Sequence, residues 1–88
     1  MLTAAERKAL KAKAHKLEPV VQIGAKGLTD DVVAEIERAL AAHELIKVRA
    51  GPLERGERHD VLQQIVGRTG AHPVQQVGKV FVIYRKNP

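Results

Sequence analysis

Residues 20–29, Val20-Val21-Gln22-Ile23-Gly24-Ala25-Lys26-Gly27-Leu28-Thr29, decide how this chain is built. A β-branched run of this kind reads as a strand, and it stops at Gly24. Gly27 follows, and then Thr29 with Asp30 and Asp31. Threonine is a good helix N-cap, and two carboxylates suit the positive end of a helix. The stretch is therefore a strand, a tight two-glycine connector and a helix. Such a junction presents main-chain N–H groups and a helix N-terminus at a strand end, with Lys26 between the glycines. Those groups attract phosphate.

Upstream of this junction, Thr3-Ala4-Ala5-Glu6 has capping-box spacing, so a first helix is expected from about Thr3 to His15. Leu10, Ala14 and Leu17 repeat at helical spacing and are expected to face the core. Arg7, Lys8 and Lys11 fall on a different arc. Lys13 lies close to the apolar side, where its stem can pack. Pro19 forbids continuation and leads into an extended run, Val20 to Ile23. Downstream, Val32, Val33, Ile36 and Leu40 form one stripe of a second helix that ends near His43. Leu45 to Arg49 reads as a second strand with its cations towards one side. Gly51-Pro52 breaks it, and a polar loop is expected through Gly56. A third helix from about Glu57 carries Val61, Leu62, Ile65 and Val66 on its apolar face. Gly70 caps it, and Gly67 weakens it by about 1 kcal/mol relative to alanine. Val74–Val77 and Val80–Tyr84 are two strands around a Gly78-Lys79 turn. The basic end, Arg85 to Pro88, is expected to fray.

The order is α-β-α-β-α-β-β. It predicts an α/β fold over residues 1–88, a single compact domain with a four-stranded mixed sheet and an antiparallel hairpin at its end. Eighty-eight residues make one domain, and 44% apolar residues supply a core. Cysteine is absent, which suits a reducing, cytoplasmic setting. No apolar run is long enough for a secretory core or a membrane span.

Charge is segregated along the chain. Its net value is +5. Residues 1–28 carry six cations against Glu6 and Glu18. Residues 29–46 carry Arg38 against five acids, and residues 47–88 carry eight cations against three acids. An acidic segment thus lies between two basic ones. A polyanion is expected to meet the N-terminal region and the glycine loop, and to avoid the outer face of the second helix.

Enzymatic chemistry finds little support. Serine and cysteine are both missing. His15, His43, His59 and His72 are scattered, without a zinc-type spacing. No carboxylate pair stands out as a general acid and base. The glycine loop is too short for a P-loop and lacks the third glycine of a dinucleotide fingerprint. No metal, cofactor or small-molecule substrate is therefore expected. Phe81 and Tyr84 are the only aromatic residues. An aromatic base-stacking platform is unavailable, so recognition is expected to rest on phosphates, 2′-hydroxyls and shape. A GxxG loop clamps four nucleotides of backbone in KH domains, although there it joins two helices rather than a strand and a helix.

Taken in order, these residues resemble the CRM domain (chloroplast RNA splicing and ribosome maturation) in its free-standing bacterial YhbY-type form. The resemblance runs through Ala14-His15, Leu17, Pro19 to Val21, Ile23 to Thr29, Glu35-Ile36 and His43 to Val48. It resumes at Thr69 to Ala71, Val74-Gln75, Val77 to Lys79 and Tyr84-Arg85. Pro52 to Arg58 carries no family motif. The resemblance implies a fold similar to the C-terminal domain of translation initiation factor three. It also implies binding of structured RNA and association with precursors of large-subunit ribosomal RNA. The expected RNA-binding set is Gly24, Ala25, Lys26, Gly27 and Thr29 at the loop, with Arg7, Lys8, Lys11 and Lys16 as its basic neighbourhood. The rival expectation is a protein–protein interaction module that docks ribosomal or assembly proteins.

Overall fold

A computed structural model describes residues 2–88. Helix α1 spans Ala4–Ala14, strand β1 Pro19–Gln22, helix α2 Asp30–His43 and strand β2 Leu45–Arg49. Helix α3 spans Arg55–Thr69, and strands β3 (His72–Val77) and β4 (Val80–Tyr84) close the chain. The element order is the expected one. The sheet runs β1-β2-β4-β3. β1 pairs parallel with β2, while β4 lies antiparallel to both β2 and β3. The first three strands therefore point the same way, and the loops that follow them emerge at one end of the sheet.

Strand alternation splits the core into two layers. Ile46 and Val48 of β2, with Val21, Ile23, Phe81 and Ile83, face α2 and α3. Ile36 and Leu40 of α2 and Ile65 of α3 are fully enclosed there. On the other face, Leu45, Val74 and Val82 pack against Ala14, with Leu10 and Tyr84 at the margin. Because α1 has only 11 residues, about 16 Å of helix, it covers part of that face and leaves the rest open.

Local signals explain most boundaries. The Thr3 hydroxyl accepts the Glu6 N–H and the Glu6 carboxylate accepts the Thr3 N–H, each at 3.0 Å, which completes the capping box. The Thr3 main-chain N–H, seconded by the Thr3 side chain, holds the Glu6 carboxyl below the ordinary carboxylate range. A depressed folded value means that the cap's contribution is full above the unfolded pKa and is lost as pH falls through the folded one. Titration by NMR should therefore move the Thr3 and Glu6 amide shifts as wild-type protein is acidified below about pH 4. In Glu6→Gln these shifts should stay flat over the same range. Equal titration in both proteins would show that the carboxylate does not form the cap in solution.

Gly70, at φ +73, ends α3, and Gly78, at φ +55, takes the first central position of the hairpin turn. Three expectations change. Helix α3 begins at Arg55 rather than near Glu57, because Leu53 is buried ahead of it and the Glu57 carboxylate reaches back to the Glu54 N–H at 3.4 Å. Leu17 lies beyond the end of α1 and is 37% exposed, so it does not join the core. The C-terminal segment is also held. Arg85 Nη1 donates to Glu37 Oε2 at 2.7 Å and to the Thr69 carbonyl at 2.8 Å, and the Asn87 N–H donates to Glu44 Oε2 at 2.8 Å. Those contacts also anchor Glu44, which sits at φ 63, a conformation that few non-glycine residues adopt.

Both outer strands carry a proline. Pro19 in β1 and Pro73 in β3 each stand beside a register shift, before Val21 and Gln75 respectively.

Candidate nucleic-acid interface

The glycine loop leaves β1 at the end where the parallel strands finish. Its root is fixed by the Ile23 N–H, which donates to the Arg49 carbonyl at 2.9 Å. The Gly27 N–H donates back to the Gly24 carbonyl at 3.0 Å, closing a turn with Gly27 at φ +76. Leu28 then packs on the core and anchors the far side. Within this turn Gly24, Ala25 and Lys26 are exposed. Among the described residues the Ala25 and Lys26 amides find no hydrogen-bond partner. A phosphate at the loop would thus meet two free N–H donors and one ammonium.

Thr29 plays a different part. Its hydroxyl accepts the Val32 N–H at 3.2 Å, and its carbonyl accepts the Val33 N–H at 3.0 Å. Asp30 and Asp31 occupy the first turn of α2, and Asp30 pairs with Arg68 at 2.8 Å. That pair is exposed and contributes little to stability. The two carboxylates do complement the helix dipole, and they oppose an incoming anion. An anion at this junction would therefore meet the turn itself rather than the N-terminus of α2.

The basic residues of the first helix are distributed around it. Lys11 and Arg7 are half-buried on the sheet side, whereas Lys8 points to solvent. Lys11 reaches a cleft of about 410 Å³ between α1 and the uncovered part of the sheet. Lys47 and Arg49 of β2 and His15 also line this cleft, with Val77 and Val80 as its apolar wall. No residue lining it is acidic. Arg49 pairs in register with Gln22, the last residue of β1, so this cleft opens next to the glycine loop. Lys16 lies elsewhere. It lines a cavity of about 540 Å³ together with Lys13, Glu18, His43 and Glu44. Mixed charge makes that larger cavity a poor seat for a polyanion.

The structure thus places Lys11 in the cleft whose Arg49 borders the root of the glycine loop, and leaves Arg7, Lys8 and Lys16 outside its lining. Lys47 and Arg49 line it too, although sequence reasoning did not place them in the site. The available signal was their spacing of two within β2, which sets both on one sheet face. Among the described residues no cluster of three potential metal ligands occurs, and no helix is long and apolar enough to cross a membrane.

The sequence profile of the CRS1 / YhbY (CRM) domain matches residues 2–85. The chain is 42% identical over 87 residues to a probable RNA-binding protein of Pseudomonas aeruginosa, covering 99% of this chain and 84% of the relative. It is 44% identical over 84 residues to an RNA-binding protein of Haemophilus influenzae, covering 96% and 85%. The solution structure of a hypothetical protein from Staphylococcus aureus superposes with a TM-score of 0.88 at 30% identity, covering 100% of this chain and 92% of the other.

Proposed function

Because the chain belongs to the CRS1/YhbY (CRM) domain family, we propose that it is a non-enzymatic protein that binds structured RNA. In this reading residues 1–88 act as one RNA-binding domain in the cytoplasm. The target is large-subunit ribosomal RNA or its precursor, and the role is in subunit assembly. The observation that carries the reading is the free Ala25 and Lys26 amides beside the Lys26 ammonium, next to a cleft lined by Lys11, Lys47 and Arg49 without any acid. Gly24 and Gly27 let the sugar–phosphate chain approach the main chain, and the lysines add affinity that depends on ionic strength. The names of the Pseudomonas and Haemophilus relatives support RNA as the ligand.

Binding to a folded ribosomal RNA fragment should weaken steeply with salt, with a log–log slope of about −0.7 to −0.9 per phosphate contacted. Lys26→Ala should weaken binding to all such fragments and reduce that slope by roughly one. Unchanged affinity in a folded Lys26→Ala protein would remove the loop from the interface. A second reading, docking of a ribosomal or assembly protein, draws on Leu17 and Val20, which are 37% and 52% exposed. Co-purification of such a partner after ribonuclease treatment would favour it.

A further inference from the structure

The open cleft beside α1 is poorly suited to a continuous double helix. A paired stem presents a convex surface of phosphates and riboses, and the glycine loop alone can meet it. The cleft instead is concave and half apolar. Its volume of about 410 Å³ lies within the range of small-molecule pockets, about 300–1,000 Å³. We propose that it takes one unpaired nucleotide of the bound RNA, its phosphate facing Lys11 and Lys47 and its base lying against Arg49, Val77 and Val80. This proposal rests on the RNA-binding reading above and adds the kind of RNA element that the domain selects.

Three features carry it. The first is charge. Lys11, Lys47 and Arg49 line the cleft with no carboxylate among its walls, so its occupant is an anion or carries one. The second is the apolar wall. Val77 is 56% exposed on β3, and Val80 sits opposite it in register on β4. A phosphate alone gains nothing from such a wall, whereas a base or ribose does. The third is the supply of groups that can hold a base without an aromatic ring. Arg49 is exposed, and a guanidinium plane stacks on a base as an aromatic side chain does. Gln75, half-buried in the same cleft, offers both amide donors and a carbonyl acceptor to a base edge. Bases in a paired stem are already stacked and bonded, so only an extruded one can use these groups.

Two hairpin RNAs distinguish the possibilities, one with an uninterrupted stem and one with the same stem carrying a single-nucleotide bulge. Wild-type protein should bind the bulged hairpin about tenfold more tightly, the scale expected of one stacked base. Arg49→Ala and Lys47→Met should bring that ratio close to one. Lys26→Ala should weaken both complexes and keep the ratio. Methyl NMR should show Val77 and Val80 moving on addition of the bulged hairpin and staying in place with the uninterrupted one. Equal wild-type affinity for the two hairpins would overturn the nucleotide cleft while leaving the loop reading intact. A ratio that survives in a folded Arg49→Ala protein would overturn it too. Binding to neither hairpin would overturn the RNA-binding reading, and the cleft's role with it.

Discussion

Replacing Gly51 by alanine should cost the domain at least about 2 kcal/mol, measured by urea unfolding. Gly51 follows β2 at φ +57, where an L side chain is strained whatever the space around it. Space is also missing. A Cβ there would stand 2.5 Å from the Ile23 carbonyl oxygen, a main-chain atom that cannot swing aside. Either β1 or the β2–α3 connection must move. Gly27 provides the comparison. It has φ +76 but nothing within 4 Å of its Cβ position. Gly27→Ala should therefore lose only the conformational part, about 1 kcal/mol. If the two variants lose the same amount, the close approach to Ile23 is not what matters at Gly51. A functional effect should accompany the first. Ile23 roots the glycine loop through its bond to the Arg49 carbonyl, so displacing it moves the loop and one wall of the cleft together.

Phe81→Ala should be still more severe, with a loss of about 3–5 kcal/mol. Phe81 is fully enclosed in β4, paired with Val48 on the face covered by α2 and α3. It is the only phenylalanine in a chain without tryptophan or disulfides. No neighbouring ring can fill the void, and total stability for a domain of this kind is about 5–15 kcal/mol. Unfolding at a much lower denaturant midpoint with an unchanged slope would bear this out. Phe81→Leu should lose markedly less, because it keeps most of the buried volume. Near-equal losses in the two variants would point to ring geometry rather than volume as the controlling quantity.

Local chemistry made much of this architecture legible in advance. Thr3 with Glu6 and Thr29 with Asp30 mark two helix starts, and both threonines do cap. Strands β2 and β4 match their expected residues, because each is a dense apolar run bounded by breakers or a helix end. Helix α3 was harder to place. Arg55-Gly56 is polar and flexible in composition, and what starts the helix there is the burial of Leu53, a tertiary effect. The ordered C-terminal segment was illegible for the same reason. Arg85 and Asn87 find their partners at Glu37, Ala41, Glu44 and Thr69, far along the chain. The site divided along the same line. The loop is contiguous in sequence and could be read directly. The cleft needs α1 and all four strands brought together, so the membership of Lys47 and Arg49 is visible only with the strands in register.

The prolines at the two sheet margins bear on how the protein behaves when many copies are crowded together. A polyanion concentrates basic proteins along its length, and crowded β-sheets with free rims can zip together into fibres. Here each outer strand carries a proline and falls out of step beside it. Neighbouring copies have no straight ladder to extend, so dense loading on a polyanion need not seed aggregation.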